Sequence, residues 1–368
     1  MELPYLLNIR HGRFVRRVRA GDAAMKLSLF IGAEHRPGDA LTKRLSEHAE
    51  QVRLARQLGF DGVSIGNHLS YGGTAWFPPF ETLMRLAAEA DGMWLGTCVL
   101  VLPFYQPFHV AEQVALLDAA SGGRAILGVG PGWQKDELDL MGLDYGTRIG
   151  RYTEAIDLIK RLFTEENVTF AGKHFRASGL TLAMRPTRKP RPPLWLGGSV
   201  ENAVRRAAKI AEPILGDTWV ASSHLKNEVI TRQAAVFRAA LAEQGKPVPA
   251  DFPVLRNIVV APDRQTAIRD AGPAIAESYG IFGDWGLFTG VMGDAKAHPE
   301  FEELLADRFI IGSPEDCAEE ITSLMRATGF NRLVARIQWV GMEHRHVMRT
   351  IALLGGEVAP MVRKALFE

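Results

Sequence analysis

The 368-residue chain has only two cysteines, Cys98 in an apolar segment and Cys317 in a polar one. They cannot form the disulfide framework of a small secreted domain, so we expect a reducing, cytoplasmic environment. Charge of either sign is not in excess, since the formal net charge is +1. This balance argues against nucleic acid or an anionic membrane as the main partner. No apolar run reaches the ~18 residues of a membrane span.

Sequence patterns of metal sites and of hydrolases are missing as well. The chain has no HExxH or CxxC spacing, no Gly-x-Ser-x-Gly elbow and no clustered carboxylates at the predicted strand ends. We therefore predict no metal centre and no hydrolytic chemistry.

Residues 1–24 have almost no acidic side chains, with five arginines against Glu2 and Asp22. They also lack the apolar stretch of a secretory signal. The segment is either a transit-like leader or a basic N-terminal extension, and we favour an extension to a domain that begins at Met25.

Strand and helix patterns alternate from Met25 onward, eight of each. The predicted strands are 26–31, 62–65, 93–102, 125–129, 194–196, 213–216, 254–260 and 332–338. Eight such pairs are the count of a (β/α)₈ TIM barrel, so residues 25–368 are predicted to form one α/β domain.

Two segments do not fit the repeat. Residues 167–184 have a period of two around Gly172 and Gly179, which predicts an inserted β-hairpin. Residues 280–308 mix glycine with Phe282 and Trp285, a composition typical of a lid insertion, here before the eighth strand. A packed surface loop without a role is the alternative for that segment.

In barrels of this kind the active site lies at the carboxyl ends of the strands. Those ends are rich in glycine and aromatic residues, which suits a flat organic cofactor. Gly197, Gly198 and Ser199 lead from a strand into a helix, where free backbone N–H groups and the helix dipole favour a phosphate, with Ser199 as the cap. A plain strand-to-helix turn would use the same residue types.

The chain resembles the bacterial luciferase-like family of flavin-dependent monooxygenases and oxidoreductases. The resemblance rests on SGGRAILGVGPGWQKDE at 121–137, RYTEA at 151–155, PPLWLGGS at 192–199 and IGSPEDCAEEI at 311–321. It extends from about Met25 to Arg363. It implies a barrel with both insertions, a site for reduced FMN or a deazaflavin, and a homodimer.

The resemblance also assigns cofactor contacts residue by residue. Ser199 matches a serine that contacts the flavin phosphate, and Arg151 and Tyr152 match an Arg-Tyr pair that reaches the same phosphate. Glu137 matches a carboxylate that contacts the flavin in some members, or is an exposed helix charge. Thr97 matches a hydroxyl at the edge of the flavin ring, or is ordinary strand filler.

The bond between Cys98 and Val99 falls where many members have a non-proline cis peptide. His68 is the titratable group best placed to transfer a proton. Relatives have Asp or Glu beside the corresponding histidine, whereas this chain has Asn67. We therefore expect Asn67 at the cofactor and an imidazole without its polarising carboxylate; a purely structural His68 is the alternative.

These features predict a two-component monooxygenase that uses reduced FMN and O2 on a small-molecule substrate, with a flavin reductase as partner. A deazaflavin-dependent oxidoreductase that transfers hydride is the second interpretation, and Trp133 disfavours one of its branches. A non-catalytic flavin-binding protein is the third. The identity of the substrate cannot be inferred from the sequence.

Overall fold

A computed structural model describes residues 25–71 and 73–367. The predicted extension at 1–24 lies outside the described residues.

A curled parallel β-sheet forms the centre of the fold. In the order in which neighbours pair, its strands are Thr218–Val220, Leu194–Gly197, Ala125–Gly130, Trp94–Thr97, Gly62–Ile65, Lys26–Ile31, Arg332–Arg336 and Pro253–Val260. A parallel bridge between Ala221 and Val254 links the two ends of this order, with the Leu255 N–H donating to the Ala221 carbonyl at 3.1 Å. The sheet therefore curls back on itself.

Burial on both faces explains why these strands are so apolar. All eight residues of Pro253–Val260 are buried, as are all six of Ala125–Gly130. Strands of a parallel sheet are covered by helices on the outside, which gives nearly continuous apolar runs. Inside the curl the packed side chains are Phe30, Cys98, Ile126, Trp195, Val220, Leu255 and Val334.

Twelve α-helices occur in the described part of the chain. They are Leu41–Gln57, Pro79–Leu86, Pro107–Ala120, Lys135–Leu140, Arg148–Thr164, Glu201–Ile210, Asn227–Ala242, Arg264–Asp284, Phe301–Arg308, Pro314–Thr328, His344–Leu353 and Ala359–Phe367. None of the helices in residues 25–71 and 73–367 is long and apolar enough to cross a membrane.

Two strand predictions are wrong in detail. The predicted strand 93–102 is interrupted, because Trp94–Thr97 ends before Cys98 and only Leu100–Val101 follows. The predicted strand 213–216 is a 3₁₀ turn, and the strand is Thr218–Val220. Pro213 has no N–H for a ladder and Gly216 takes φ of 92°, so this apolar segment turns.

The regions predicted as insertions also have defined structure. Val168–Ala171 and Arg176–Leu180 pair in an antiparallel manner. In the later region, Arg264–Asp284 is followed by a π-helical turn, Leu287–Met292. A further parallel strand, Phe309–Gly312, pairs with Pro253–Val260 and is absent from the predicted set.

Candidate active site

The carboxyl ends of the strands open into a cavity of about 400 Å³. This volume lies in the ordinary range for a small-molecule or cofactor site. Its walls include residues 66–68 after the second strand, 130–133 after the fourth, 197–200 after the fifth and 220–224 after the sixth. The sequence thus predicted the position of the cavity from the strand order.

One wall is formed by glycine because Val99 occupies the adjacent space. A Cβ on Gly130 would lie 2.9 Å from Val99 Cγ2, and a Cβ on Gly197 would lie 3.3 Å from the Val99 methyl groups. The Cys98–Val99 peptide is cis, as predicted, and both residues line the cavity. Side chains at these glycines would push this wall apart.

Gly198 and Ser199 lie on the cavity wall at the start of Glu201–Ile210. The helix is capped at Val200 without a side-chain hydrogen bond, so the prediction that Ser199 caps it is wrong. The Ser199 carbonyl accepts from Gln233 Nε2 at 2.6 Å instead. No described residue hydrogen-bonds the Ser199 hydroxyl, which is left available to a ligand on the wall.

Two arginines on the cavity wall were not predicted, Arg148 and Arg206. Arg206 makes no hydrogen bond or ion pair with any described residue. Arg148 donates to the Tyr145 carbonyl at 2.9 Å, while its Nε is buried without a partner. Neither guanidinium meets a carboxylate within the described ranges, so this part of the wall is positively charged.

Arg151 and Tyr152 do not lie on the cavity wall. The Arg151 guanidinium lies 4.9 Å from the centre of the Phe175 ring. Tyr152 is buried in the core, where burial raises the pKa of its hydroxyl. Helix Arg148–Thr164 thus presents Arg148 to the cavity. Arg151 and Tyr152, which the family resemblance assigned to the phosphate, do not line it.

Thr97 and Asn67 both use their side chains to hold backbone. The buried Thr97 hydroxyl donates to the Gly128 carbonyl at 2.6 Å, away from the cavity wall. Asn67 lines the cavity, and its Oδ1 accepts from the Val101 N–H at 3.0 Å. Asn67 therefore ties the second strand end to the segment after the third.

His68 has a carboxylate partner after all. Its Nδ1 lies 2.8 Å from Glu137 Oε2, and the other Glu137 oxygen accepts from the Leu69 N–H at 2.6 Å. The Gln134 side chain accepts from the Glu137 N–H, which fixes the start of Lys135–Leu140. The expectation of an unpolarised imidazole is wrong because this carboxylate arrives from a distant part of the chain.

Glu137 fixes how the imidazole can act. A carboxylate only accepts hydrogen bonds, so its contact with Nδ1 favours the tautomer with hydrogen on that nitrogen. Nε2 then has a lone pair. No described residue bonds Nε2, and His68 lines the cavity. The arrangement suits proton acceptance at Nε2.

Aromatic rings surround His68. Ring-centre distances are 4.7 Å to Trp76, 5.3 Å to Trp285, 5.9 Å to Trp133 and 6.5 Å to Phe282. Such walls exclude water and bind flat apolar ligands.

The cavity also contains polar groups that the sequence did not indicate. Arg336, from the last barrel strand, forms a buried ion pair with Glu34. His224 lines the cavity and its Nδ1 lies 3.1 Å from the Tyr279 hydroxyl. These pairs join residues far apart in sequence, which no local pattern reveals. His35, which follows the first strand, is also buried.

No group of three or more His, Cys, Asp or Glu that could hold a metal ion occurs in the ranges that the structure describes. The cavity chemistry is that of arginine, histidine and aromatic side chains.

The chain belongs to the luciferase-like monooxygenase family, whose sequence profile matches residues 25–332. A relative from Streptomyces nodosus subsp. asukaensis, 4-hydroxyprotoasukamycin monooxygenase, is 30% identical over 349 residues, 92% of each chain. The FMNH2-dependent dimethylsulfone monooxygenase of Pseudomonas putida is 27% identical, and the match spans 85% of this chain and 83% of that protein. The protein is thus an enzyme of a family of monooxygenases and oxidoreductases.

Other relatives use a deazaflavin or share only the fold. The F420-dependent glucose-6-phosphate dehydrogenase of Microbacterium testaceum, named for a deazaflavin, is 28% identical, with 84% of this chain matching 91% of it. The monooxygenase RslO1 of Streptomyces bottropensis superposes with a TM-score of 0.78 at 21% identity, over 91% of this chain and 99% of that one. The fold is therefore that of the family's TIM barrels.

Proposed function

We propose that the protein is a monooxygenase that uses reduced FMN and O2 to oxidise a small organic substrate. The observation that carries this proposal is the positively charged cavity wall, where Arg148 and Arg206 lack carboxylate partners and lie with Gly198 and Ser199 on one cavity. A phosphate ester matches such a wall, since guanidinium groups and a helix start both favour bound anions. Membership of the family supports a flavin as the group that bears the phosphate.

The residues present fit FMN. Arg148, Arg206, Ser199 and the first N–H groups of Glu201–Ile210 would hold the phosphate, and the glycine wall beside Val99 would admit the flat ring. Reduced FMN supplies the electrons that activate O2. Arg151, Tyr152 and Thr97 remain candidates from the family resemblance. The side chains of Tyr152 and Thr97 are buried away from the cavity wall, whereas Arg151 lies over Phe175 and its Nε is buried without a partner among the described residues.

His68 handles protons in this proposal. Its Nε2 accepts a proton from a bound molecule, and Glu137 stabilises the resulting imidazolium. Trp76 and Trp133 keep water from the imidazole.

A separate flavin reductase supplies the reduced FMN in this proposal, as the name of the FMNH2-dependent relative suggests for that protein. We also propose a homodimer in the cytoplasm, where the free cysteines Cys98 and Cys317 would stay reduced. Segment 280–308 would act as the lid, since Val291 and Met292 line the cavity.

The proposal is tested by mixing the protein with reduced FMN without oxygen, then adding O2 while recording the flavin spectrum. We expect tight binding of reduced FMN and a time course of flavin oxidation that differs from that of free FMN. A reduced deazaflavin in the same experiment should bind weakly. Tight deazaflavin binding with hydride transfer would favour an F420-dependent oxidoreductase, and unaltered flavin oxidation would favour a flavin-binding protein without turnover.

A further inference from the structure

Two histidines face the same cavity with opposite hydrogen-bonding surroundings. His68 has Glu137 at its Nδ1, whereas His224 has the Tyr279 hydroxyl at its Nδ1. Both rings contact Phe282, with centres 6.5 Å and 5.3 Å from it. The Phe282 ring is therefore a common neighbour of the two imidazoles.

The direction of the bond at His224 follows from Asn257. The Asn257 Nδ2 donates to the Ser223 and Arg308 carbonyls at 3.1 and 3.2 Å, which fixes the amide orientation because a carbonyl can only accept. The same Nδ2 lies 2.6 Å from the Tyr279 oxygen. An amide nitrogen offers no lone pair, so the Tyr279 hydrogen must point elsewhere, and His224 Nδ1 is the acceptor within reach.

His224 is therefore held with hydrogen on Nε2. It also stays uncharged, since burial above all, and then the positive charges of Arg336, Arg308 and Arg256, lower its pKa well below the ordinary value. No described residue bonds its Nε2. The cavity thus has a neutral N–H donor at His224 and a proton acceptor at His68.

We propose that His68 and His224 together bind and ionise an acidic hydroxyl group on an aromatic substrate. The hydroxyl proton moves to His68 Nε2, giving an imidazolium beside Glu137, and the oxyanion that remains accepts a hydrogen bond from His224 Nε2. Arg336, paired with Glu34, adds a positive charge near His224. Tyr279, Asn257 and Glu137 are positioning residues.

The aromatic walls favour a ring in this substrate. Trp76, Trp133 and Phe282 line the cavity around His68 and offer their faces and edges to a planar guest. The inference deepens the proposed function by naming the substrate class, and it rests on that function only for the later reaction with O2. Ionisation itself needs neither reduced flavin nor oxygen.

The test uses 4-nitrophenol, whose ionised form absorbs visible light, with protein saturated by oxidised FMN, at a pH below the pKa of the free phenol. Difference spectra against the protein–FMN complex should show saturable formation of bound phenolate. His68→Gln and His224→Leu should each lower the bound ionised fraction, with about tenfold loss in the ionisation constant. His224→Gln keeps an N–H donor and should restore part of the signal.

His109 provides a matched control, since its Nδ1 lies 3.2 Å from Glu112 on an exposed helix face. His109→Gln should leave the phenolate signal unchanged. Phenol that stays neutral when bound to the parent protein, or a full phenolate signal in His224→Leu, would overturn the inference.

Imidazole ¹⁵N spectra give a second readout that needs no ligand. At neutral pH we expect His224 with hydrogen on Nε2 and His68 with hydrogen on Nδ1. Tyr279→Phe should free the tautomer of His224 only, and Glu137→Gln should change that of His68 only. Hydrogen on Nδ1 of His224 in the parent protein would contradict the inference. Both readouts are independent of the reaction of reduced FMN with O2, so the failure of one proposal is distinguishable from the failure of the other.

Discussion

His68 Nδ1 lies 2.8 Å from Glu137 Oε2, and the second oxygen of the same carboxylate holds the Leu69 N–H at 2.6 Å. One buried side chain thus fixes both the imidazole and the backbone that carries it. The Glu137 carboxylate is nearly inaccessible, at 2% side-chain exposure, so water does not compete for these bonds. The geometry of the proton acceptor depends on this one residue.

Glu137→Gln should separate folding from proton chemistry. The amide oxygen can still accept from the Leu69 N–H, but the amide NH2 would then face His68 Nδ1 and favour hydrogen on Nε2 instead. We expect a change of about 1 kcal/mol or less in the free energy of unfolding, since the backbone bond is kept. Denaturant unfolding measures this change.

Glu137→Ala makes the contrast. It leaves the partly buried Leu69 N–H without this partner, which costs roughly 1–3 kcal/mol. Equal stability of the Gln and Ala variants would show that the carboxylate does not support this loop. Glu112→Gln, which affects only the exposed His109 pair, serves as the control.

Arg206→Ala should weaken FMN binding by about one to two orders of magnitude, because a charge-assisted bond contributes roughly 1.5–3 kcal/mol. Riboflavin lacks the phosphate and should bind the variant and the parent almost equally. Isothermal titration with both ligands checks this. Arg205→Ala is the matched control, since the adjacent Arg205 is exposed and pairs with Glu201 at 3.0 Å.

Arg151→Ala distinguishes the structure from the family resemblance. We expect little change in FMN affinity, because the Arg151 guanidinium lies over Phe175 and is not on the cavity wall. Arg148→Ala, one helical turn earlier, should weaken FMN binding as Arg206→Ala does. A large loss of FMN affinity in Arg151→Ala, with none in Arg148→Ala, would instead show that Arg151 contacts the phosphate.

Two buried histidines outside the cavity should make the fold sensitive to acid. Burial lowers the pKa of His35 to about 4 and that of His48 to about 3. The nearby Arg44 lowers both, His35 and His344 lower that of His48, and Asp39 and Glu47 raise that of His35.

Protonation of these histidines favours the unfolded chain, where their pKa is near 6.5. Their contribution to stability is complete above that pH and is lost as the pH falls toward about 4 for His35 and about 3 for His48, by about 1.4 kcal/mol per pH unit for each histidine. We expect the free energy of unfolding of His48→Leu to depend less steeply on pH over this window than that of the parent. Parallel slopes for His48→Leu, the parent and the exposed control His109→Leu would refute this origin of acid lability.

Gly128→Ala should destabilise the fold strongly. A Cβ there would lie 1.9 Å from the Thr97 carbonyl oxygen, and backbone cannot move aside cheaply. Overpacking of this kind costs roughly 1–3 kcal/mol or more. Thermal melts should show a clear fall for Gly128→Ala and almost none for Gly356→Ala, where a Cβ meets nothing within 4 Å.

The spacing of apolar residues and the positions of the glycines were enough to predict most of the barrel from the sequence. Strands such as Lys26–Ile31 and Gly62–Ile65 were predicted with the bounds that the structure has. The failure at 213–216 shows the limit. An apolar run does not distinguish a strand from a turn, and here a proline and a glycine with positive φ decide the outcome.

The site was predicted less well because it is assembled across the chain. His68 and Glu137 are 69 residues apart, so their pairing depends on which strands are neighbours. Arg206 was missed because no local sequence feature distinguishes it from Arg205. The two differ only in that Arg206 lies on the helix face that is turned toward the cavity. Likewise one helical turn decides whether Arg148 or Arg151 reaches the wall.

Binding and oxidation of reduced FMN test the central claim most directly. The protein is saturated with reduced FMN without oxygen and mixed with O2, and a parallel sample contains reduced deazaflavin. We predict that FMN is retained, that Arg206→Ala lowers this retention at the same concentrations, and that O2 is consumed at a rate set by the protein. Retention of the deazaflavin in preference to FMN, with hydride transfer and no consumption of O2, would contradict the assignment as an FMN-dependent monooxygenase.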